Sequence, residues 1–180
     1  QALIRRTLEV AAQEGLTPAP YAASTVSDAF NGTLYSSSGV RFIESDVIEA
    51  FDAPAAAVCE IFDGEKTAVH DGVYFPEYLD KKDKYAYFLG TNQPIITITG
   101  GSPGGQKLLL IKDSYAHCMA PMLLSNYSEI TLVDMRYLNG RLDDFLNPGD
   151  YDRALILQGI DSFVNQNNLY KLTLLSGESK

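Results

Sequence analysis

The chain has 180 residues, and 46% of them are hydrophobic. Its 14 Lys and Arg against 23 Asp and Glu give a formal net charge of −9 at pH 7. This balance argues against a nucleic-acid or anionic-membrane surface, which would require a basic patch. No window approaches the roughly 18 consecutive apolar residues of a membrane-spanning helix, so we expect no span in this chain.

The length predicts a single domain over residues 1–180, or one domain with an insertion. Two cysteines occur, Cys59 and Cys118. Both fall in elements that we predict to be buried, which argues against a structural disulfide. The sequence has no CxxC pair and no cluster of His and Cys, so we expect neither a zinc site nor another cofactor.

Residues 21–100 are predicted to carry loops and a small antiparallel excursion. Before them, residues 2–14 place apolar side chains on one helical face and predict a helix. Residues 24–39 are rich in Ser, Gly, Asn and Thr and predict a long loop. Residues 46–75 hold short apolar segments separated by turn residues. The predicted antiparallel strands lie at 47–51, 57–62 and 67–74.

The second half of the chain predicts buried strands alternating with short helices. Strands are predicted at 94–99, 107–111, 130–133 and 152–158, with an edge strand at 169–175. Short helices are predicted between 114 and 127, at 141–145 and at 162–167.

The rest of the chain is organised around residues 107–136. Residues 108–111 and 130–133 are continuous apolar runs, which are typical of strands covered on both faces. A strand–helix–strand unit of about 30 residues favours a parallel pair with a right-handed crossover. In such sheets the ligand site lies beyond the carboxyl ends of the strands, where Ser114 and Tyr115 fall.

Ser114 is the leading candidate nucleophile. At a strand-to-helix turn, a serine hydroxyl stands near outward-pointing backbone N–H groups that can stabilise an oxyanion. The alternative is that Ser114 only caps the helix by accepting a free N–H. Pro121 would remove a hydrogen bond from a helix that began at Ser114. We therefore expect an irregular first turn, or a helix that starts near His117.

A nucleophilic serine needs a base, which is usually a histidine oriented by a carboxylate. His117 follows Ser114 on the same predicted helix, where the geometry for a base is poor, so we assign it a supporting role. His70, next to Asp71, falls in the antiparallel excursion. The alternative for each histidine is a surface or packing role.

Further polar residues are predicted near the same edge of the sheet as Ser114. Asp113 is expected to anchor the turn by accepting backbone N–H bonds. Asp134 ends the strand predicted at 130–133, and Arg136 and Tyr137 follow it. A buried Arg–Asp pair is the structural alternative to a functional role there.

Two glycine-containing loops are the remaining candidates. Gly159 ends the strand predicted at 152–158, and a glycine permits close approach of a ligand to the backbone. Asp161 lies just beyond it. The loop at 90–92 presents Asn92.

Several stretches together resemble the DHHW proteins, a mainly Gram-positive bacterial group in the wider class of SGNH, or GDSL-like, hydrolases. They are FNGTLYSSSG (30–39), DKYAYFLGTNQPIITI (83–98), KLLLIKDSYAHCMAPML (107–123), ITLVDMRYLN (130–139) and YDRALILQGIDSF (151–163). Related proteins of alginate and cell-wall O-acetylation carry a GDSF-type motif, to which KDSY at 112–115 corresponds without the leading glycine.

The resemblance implies an α/β fold: a three-layer SGNH/flavodoxin-like parallel sheet with a small antiparallel excursion. It implies that Ser114 is the nucleophile. Residues 159–162 are similar to the block written GxND, with Asp161 in place of asparagine. The oxyanion or substrate loop would then comprise Gly159, Asp161 and Asn92, with the N–H groups of Ser114 and Gly159 as donors.

The implied activity is that of a serine acyl-ester hydrolase or O-acetyltransferase acting on acylated cell-envelope glycans, outside the cytoplasm or at the cell surface. The family's Asp-His-His-Trp motif would supply the carboxylate and the base, but this chain contains no tryptophan. We therefore expect the chain to be the C-terminal part of a longer exported protein, with little or no esterase activity by itself.

Two other readings of the sequence remain. One is a non-catalytic carbohydrate-binding or scaffold module on the same fold. Tyrosines that could stack on sugar rings, or equally form core edges, are Tyr35, Tyr85, Tyr87, Tyr115 and Tyr137. A nucleotide-binding flavodoxin-like domain is disfavoured, because no glycine-rich phosphate loop follows the first strand.

Overall fold

The computed structural model describes residues 22–32, 42, 44–165 and 169–173. The helix predicted at 2–14 and the second part of the loop predicted at 24–39, residues 33–39, lie outside these residues.

The described residues form two β-sheets. A two-stranded antiparallel sheet pairs β1 (Ala23–Phe30) with β2 (Asp46–Phe51). The second sheet has six strands in the order β4-β3-β5-β7-β6-β8. Its strands are β3 (Val58–Phe62), β4 (Thr67–Asp71), β5 (Ile95–Thr99), β6 (Gln106–Lys112), β7 (Tyr127–Val133) and β8 (Arg153–Leu157).

The six-stranded sheet is mixed. β6 runs parallel to β7, with Leu110 opposite Leu132, and parallel to β8, with Leu110 opposite Leu155. The predicted parallel pair around Ser114 is therefore confirmed. β3, β4 and β5 join by antiparallel pairing, and β5 also runs antiparallel to β7.

The helices of the described residues are short. Among these residues, the α-helices are α1 (Ala120–Leu123), α2 (Ile160–Asn165) and α3 (Tyr170–Thr173). The 3-10 helices are Pro76–Tyr78, Lys84–Tyr87, Ser114–Ala116, Leu142–Asp144 and Pro148–Asp150. In the part of the chain that the structure describes, no helix has the length and apolar character needed to cross a membrane.

The predicted three-layer α/β fold with a parallel sheet is wrong. Three of the five strand pairings in the sheet are antiparallel, and the helices within the described residues are short. Pro121 is one physical reason, because it lies in the first turn of α1 and has no N–H to continue a helix from Ser114. The helix predicted between 114 and 127 is reduced to a 3-10 turn followed by four residues of α-helix.

Alternate residues of β6 serve two apolar clusters. Leu108 and Leu110 pack with Ile96, Ile98, Ile130 and Leu132 on one face. Leu109 and Ile111 pack with Val133, Met135, Leu138 and Leu142 on the other. Each fully buried aliphatic side chain contributes about 1.5–3 kcal/mol to stability, so β6 is the centre of the fold.

The antiparallel strands predicted at 57–62 and 67–74 correspond to β3 and β4, whereas the strand predicted at 47–51 is β2 of the two-stranded sheet. β3 and β4 belong to the main sheet, because β3 pairs with β5 along its whole length. Residues 24–30, predicted as part of a loop, lie in β1, a strand with mostly exposed side chains.

Two predictions near the carboxyl terminus are also wrong. β8 was expected to be buried, but it is an edge strand with Leu155 and Ile156 exposed. The edge strand predicted at 169–175 begins as a helix, α3.

Cys118 was predicted to be buried and is exposed, whereas Cys59 is buried as predicted, and both are free thiols.

Candidate active site

Asp113 fixes the turn that follows β6. Its backbone is extended (φ −114°, ψ −173°), and its Oδ1 accepts the N–H of Tyr115 at 3.0 Å. Its Oδ2 accepts the N–H of Gly159 at 2.7 Å, which ties the end of β6 to the end of β8. The helix cap is therefore Asp113, as its predicted anchoring role implies, and Ser114 does not have that task.

Ser114 opens the 3-10 turn and is half-buried. Its carbonyl oxygen accepts the Tyr85 hydroxyl at 2.9 Å and the His117 N–H at 3.2 Å. Neither its hydroxyl nor its N–H makes a hydrogen bond to another described residue. Ser114 is thus held in place through its carbonyl oxygen. Its hydroxyl, the possible nucleophile, and its N–H, a possible oxyanion donor, are not used by the turn.

A buried ionic cluster lies next to this turn. The Lys112 ammonium, with no exposed surface, is 2.7 Å from His117 Nε2 and 3.2 Å from Asp134 Oδ2. Arg136 binds the same carboxylate through two hydrogen bonds, Nε to Oδ1 at 2.8 Å and Nη2 to Oδ2 at 2.6 Å. The buried Arg–Asp pair that the sequence left as an alternative is therefore present, with a lysine added to it.

His117 is held neutral. Because an ammonium only donates, Nε2 accepts from Lys112 and Nδ1–H donates to the Phe88 carbonyl at 3.1 Å. Burial, and then the charge of Lys112, lower the pKa of His117 to about 3. Burial lowers the pKa of Lys112 to about 8, against the opposing attraction of Asp134. His117 therefore supports the turn and does not serve as a base near neutral pH.

His70 lies far from Ser114. It belongs to β4, the strand at the opposite edge of the six-stranded sheet from β8. Its ring stacks on Phe75 with a centroid distance of 3.7 Å. Since the chain has two histidines, neither of them is placed to accept the Ser114 proton.

Asn92 reaches the same edge of the sheet as Ser114. β5 is antiparallel to β7, with Ile95 opposite Val133, so the loop before β5 meets the carboxyl end of β7. The Asp134 N–H donates to the Pro94 carbonyl at 2.9 Å and fixes this loop. The Asn92 Oδ1 and the Gln158 Oε1 are buried and have no hydrogen-bond partner in the described part of the chain. Such groups cost about 1–3 kcal/mol, which makes them candidates for ligand contact.

Gly159 is close to Tyr115 but cannot act as predicted. A Cβ at this position would lie 2.9 Å from a ring carbon of Tyr115 and 3.2 Å from Asp113 Oδ2, so only glycine fits without adjustment. Its N–H is already bound to Asp113, so the expected oxyanion donation from Gly159 is not available. Asp161 is exposed, and its Oδ1 accepts the Asn165 amide at 2.7 Å within α2.

Two exposed aromatic residues follow the carboxyl ends of β6 and β7. Tyr115 is 70% exposed and Tyr137 is 45% exposed, with the Arg136 guanidinium 5.4 Å from the Tyr137 ring centre. Tyr85 is instead a support, since its hydroxyl bonds to the Ser114 carbonyl and burial raises its pKa. Tyr87 is a core residue stacked on Tyr74, and Tyr35 lies outside the described residues.

Sequence reasoning missed the role of Lys112. A lysine at the end of a continuous apolar strand is the signal that could have identified it as a buried cation. The described residues contain no group of three or more His, Cys, Asp or Glu side chains that could hold a metal ion.

Comparison with known proteins shows where this fold occurs. No protein-family model matches the sequence, and no curated protein matches it. Solved structures do share its fold. A DHHW family protein from Eubacterium siraeum covers 91% of this chain with a TM-score of 0.71 and 20% sequence identity.

The second similar protein is PatB1 from Bacillus cereus. A structure of it with a sulfonyl adduct covers 87% of this chain at TM-score 0.60 and 14% identity. Another covers 86% at TM-score 0.59 and 15% identity. This chain spans 57%, 54% and 55% of the three solved chains, a little over half of each. At these identities the likeness establishes a shared fold.

Proposed function

We propose that this chain carries the nucleophile of a DHHW-type serine acyl-ester hydrolase or O-acetyltransferase, which acts on acylated cell-envelope glycans outside the cytoplasm. The observation that carries the proposal is the state of Ser114. Its turn is fixed on both sides, by Asp113 and by Tyr85, while its hydroxyl and N–H have no partner among the described residues. A serine that served only as a cap would use its hydroxyl on the turn.

The proposed reaction begins with attack of Ser114 Oγ on the acyl carbonyl. The hydroxyl proton passes to a base. The ester C–O bond then breaks, the base returns the proton to the departing alcohol oxygen, and an acyl-enzyme remains. Water or a second hydroxyl then takes the acyl group. Since His70 and His117 are committed elsewhere, we propose that the base and its carboxylate come from outside this chain.

The proposed oxyanion site combines the Ser114 N–H with the side-chain amide of Asn92. The N–H is uncommitted among the described residues, and the Asn92 Oδ1 is buried at the same edge of the sheet without a hydrogen-bond partner among them. An amide can present its NH₂ by rotation about its last side-chain bond. Removing one such donor typically costs about 100- to 1000-fold in rate.

The exposed rings suit a glycan more than a nucleic acid. Tyr115 and Tyr137 present aromatic surface after the carboxyl ends of β6 and β7, and aromatic rings with a polar tip are common in contacts that are partly wet. The net charge of −9 disfavours polyanions. This leaves a neutral, hydroxyl-rich substrate as the best match.

Labelling with a fluorophosphonate probe tests the proposal. We expect covalent labelling at Ser114 when the base is present, in a longer protein that contains this chain, and its loss in Ser114→Ala. The matched control is Ser102→Ala, because Ser102 lies in the loop at the opposite end of β6. Equal labelling of the parent and Ser114→Ala would refute the assignment.

A carbohydrate-binding module without catalysis is the second candidate. It is favoured by the commitment of both histidines to other contacts. In that case, glycan binding measured by calorimetry would persist in Ser114→Ala and fall in Tyr115→Ala, and no probe would label the longer protein.

A further inference from the structure

Lys112 is a fully buried ammonium next to the turn that carries Ser114. Every residue from 108 to 112 is buried, and the lysine ends this run with no exposed surface. Burying an ammonium costs several kcal/mol even when it is partnered. A methionine would fill similar space without that cost, so the contacts of the ammonium have to explain why a lysine is present.

Neutralising Asp134 is not a sufficient explanation. Arg136 already binds both oxygens of that carboxylate, at 2.8 and 2.6 Å. Lys112 adds a longer contact of 3.2 Å to one of them. Its shorter contact, 2.7 Å, is with His117 Nε2. This bond to His117 is the contribution that Arg136 does not make.

His117 also makes hydrogen bonds to two loops. Its backbone N–H donates to the Ser114 carbonyl, inside the proposed nucleophile turn. Its Nδ1–H donates to the Phe88 carbonyl, at the start of the loop that leads to Asn92. That loop turns through two successive residues with positive φ, Leu89 at 60° and Gly90 at 75°, so its path is tightly constrained.

We propose that Lys112 is a positioning residue, whose ammonium bridges Asp134 and His117 and so sets the distance between the Ser114 turn and the loop at 88–92. The inference rests on the proposed function, in which Ser114 is the nucleophile and Asn92 an oxyanion donor. A displacement of about 1 Å can cost about 100-fold in rate, so a small relaxation of this bridge is enough to lower Ser114 reactivity.

The first test needs no activity. The chain has two histidines, so ¹⁵N-histidine labelling gives one signal set for His117 and one for His70 as an internal reference. In the parent protein, His117 is expected to show a neutral ring with the proton on Nδ1. In Lys112→Met, the Nε2 signal should move and protonation should begin at a higher pH, because one of the groups that lower the pKa is lost. Asp134 and Arg136, the other charged groups that act on His117, remain.

The second test measures position and reactivity. Backbone amide signals of Ser114 and Asn92 should shift in Lys112→Met, and fluorophosphonate labelling in the longer protein should slow by about tenfold or more. The matched control is Lys107→Met, the same change at the exposed start of the same strand, where the lysine pairs with Glu129. It should leave both readouts unchanged.

The outcomes separate the two proposals. Unchanged His117 nitrogen signals in Lys112→Met overturn the bridge, and so do amide shifts at Ser114 and Asn92 no larger than those of Lys107→Met. Labelling as fast as in Lys107→Met, despite a moved His117, overturns the effect on reactivity but not the proposed nucleophile. If the parent itself is unlabelled, the proposed function fails, while the amide and nitrogen signals still decide the bridge.

A second pair of variants covers the case in which Lys112→Met does not fold. His117→Phe removes both ring nitrogens, whereas His117→Gln keeps one donor and one acceptor. The proposal expects Gln to restore part of the labelling rate that Phe loses. Equal rates in the two variants would contradict it.

Discussion

The Asp113 carboxylate accepts the backbone N–H of Gly159 at 2.7 Å, which joins the ends of two parallel strands. The same carboxylate caps the turn that begins at Ser114 by accepting the Tyr115 N–H. One buried side chain therefore holds together the carboxyl edges of β6 and β8. Because Asp113 caps the turn, the Ser114 hydroxyl is not needed for that role.

Asp113→Ala should be clearly destabilising. Loss of a helix cap costs about 1 kcal/mol, and a hydrogen bond to a charged group is worth about 1.5–3 kcal/mol. We expect the free energy of unfolding, measured in urea, to fall by about 2–4 kcal/mol. As a control, Asp143→Ala removes an exposed carboxylate paired with Arg141 and should have a much smaller effect on the free energy of unfolding. Similar losses in the two variants would count against the role given to Asp113.

Gly159→Ala should displace Tyr115 rather than unfold the chain. The added methyl would meet the Tyr115 ring at 2.9 Å, and this ring is largely exposed and free to swing away. We expect destabilisation of about 1–3 kcal/mol from overpacking, together with a change in tyrosine fluorescence. The double variant Gly159→Ala/Tyr115→Ala should recover most of the loss. A double variant no more stable than Gly159→Ala would show that the clash lies elsewhere.

Acid should destabilise the fold through His117. Its pKa in the folded chain is lowered from 6.5 to about 3, so below about pH 6 the unfolded chain binds a proton that the folded chain does not. The free energy of unfolding should therefore fall with falling pH, by up to about 1.4 kcal/mol per unit. His117→Gln removes this contribution and should flatten the profile between about pH 6 and pH 4. Parallel profiles for the two proteins would mean that His117 is not held neutral.

The two thiols should differ in reactivity. Cys118 is exposed, whereas Cys59 is buried and burial raises its pKa to about 12. Because the thiolate is the reacting form, iodoacetamide should modify Cys118 in the native protein and reach Cys59 only after unfolding. Peptide mass spectrometry with and without urea measures both rates. Modification of Cys59 at the Cys118 rate in native buffer would contradict the packing of β3.

Local pattern was enough to predict the parallel strands around Ser114. The continuous apolar runs at 108–111 and 130–133 required cover on both faces, and the two clusters that share β6 provide it. Strand direction elsewhere could not be predicted in this way. The alternating pattern of β5 fits either orientation, and its antiparallel pairing with β7 depends on the path of the whole chain.

The candidate site was predicted only in part. Asp113, Ser114, Asp134 and Arg136 were expected at one edge of the sheet because the carboxyl ends of parallel strands meet there. The bridge between Lys112 and His117 was not expected, since its energy depends on two side chains buried together from adjacent elements. The exposure of β8 could not be predicted either, because its apolar run has the composition of a buried strand. β8 is exposed because it lies at the edge of the sheet.

Mapping the residue modified by a fluorophosphonate in a longer protein that contains this chain tests the central claim most directly. The account predicts that peptide mass spectrometry finds the adduct on Ser114 and that prior exposure to an aryl acetate slows its formation. An adduct on any other serine, or none while the protein turns over an acyl ester, would contradict it.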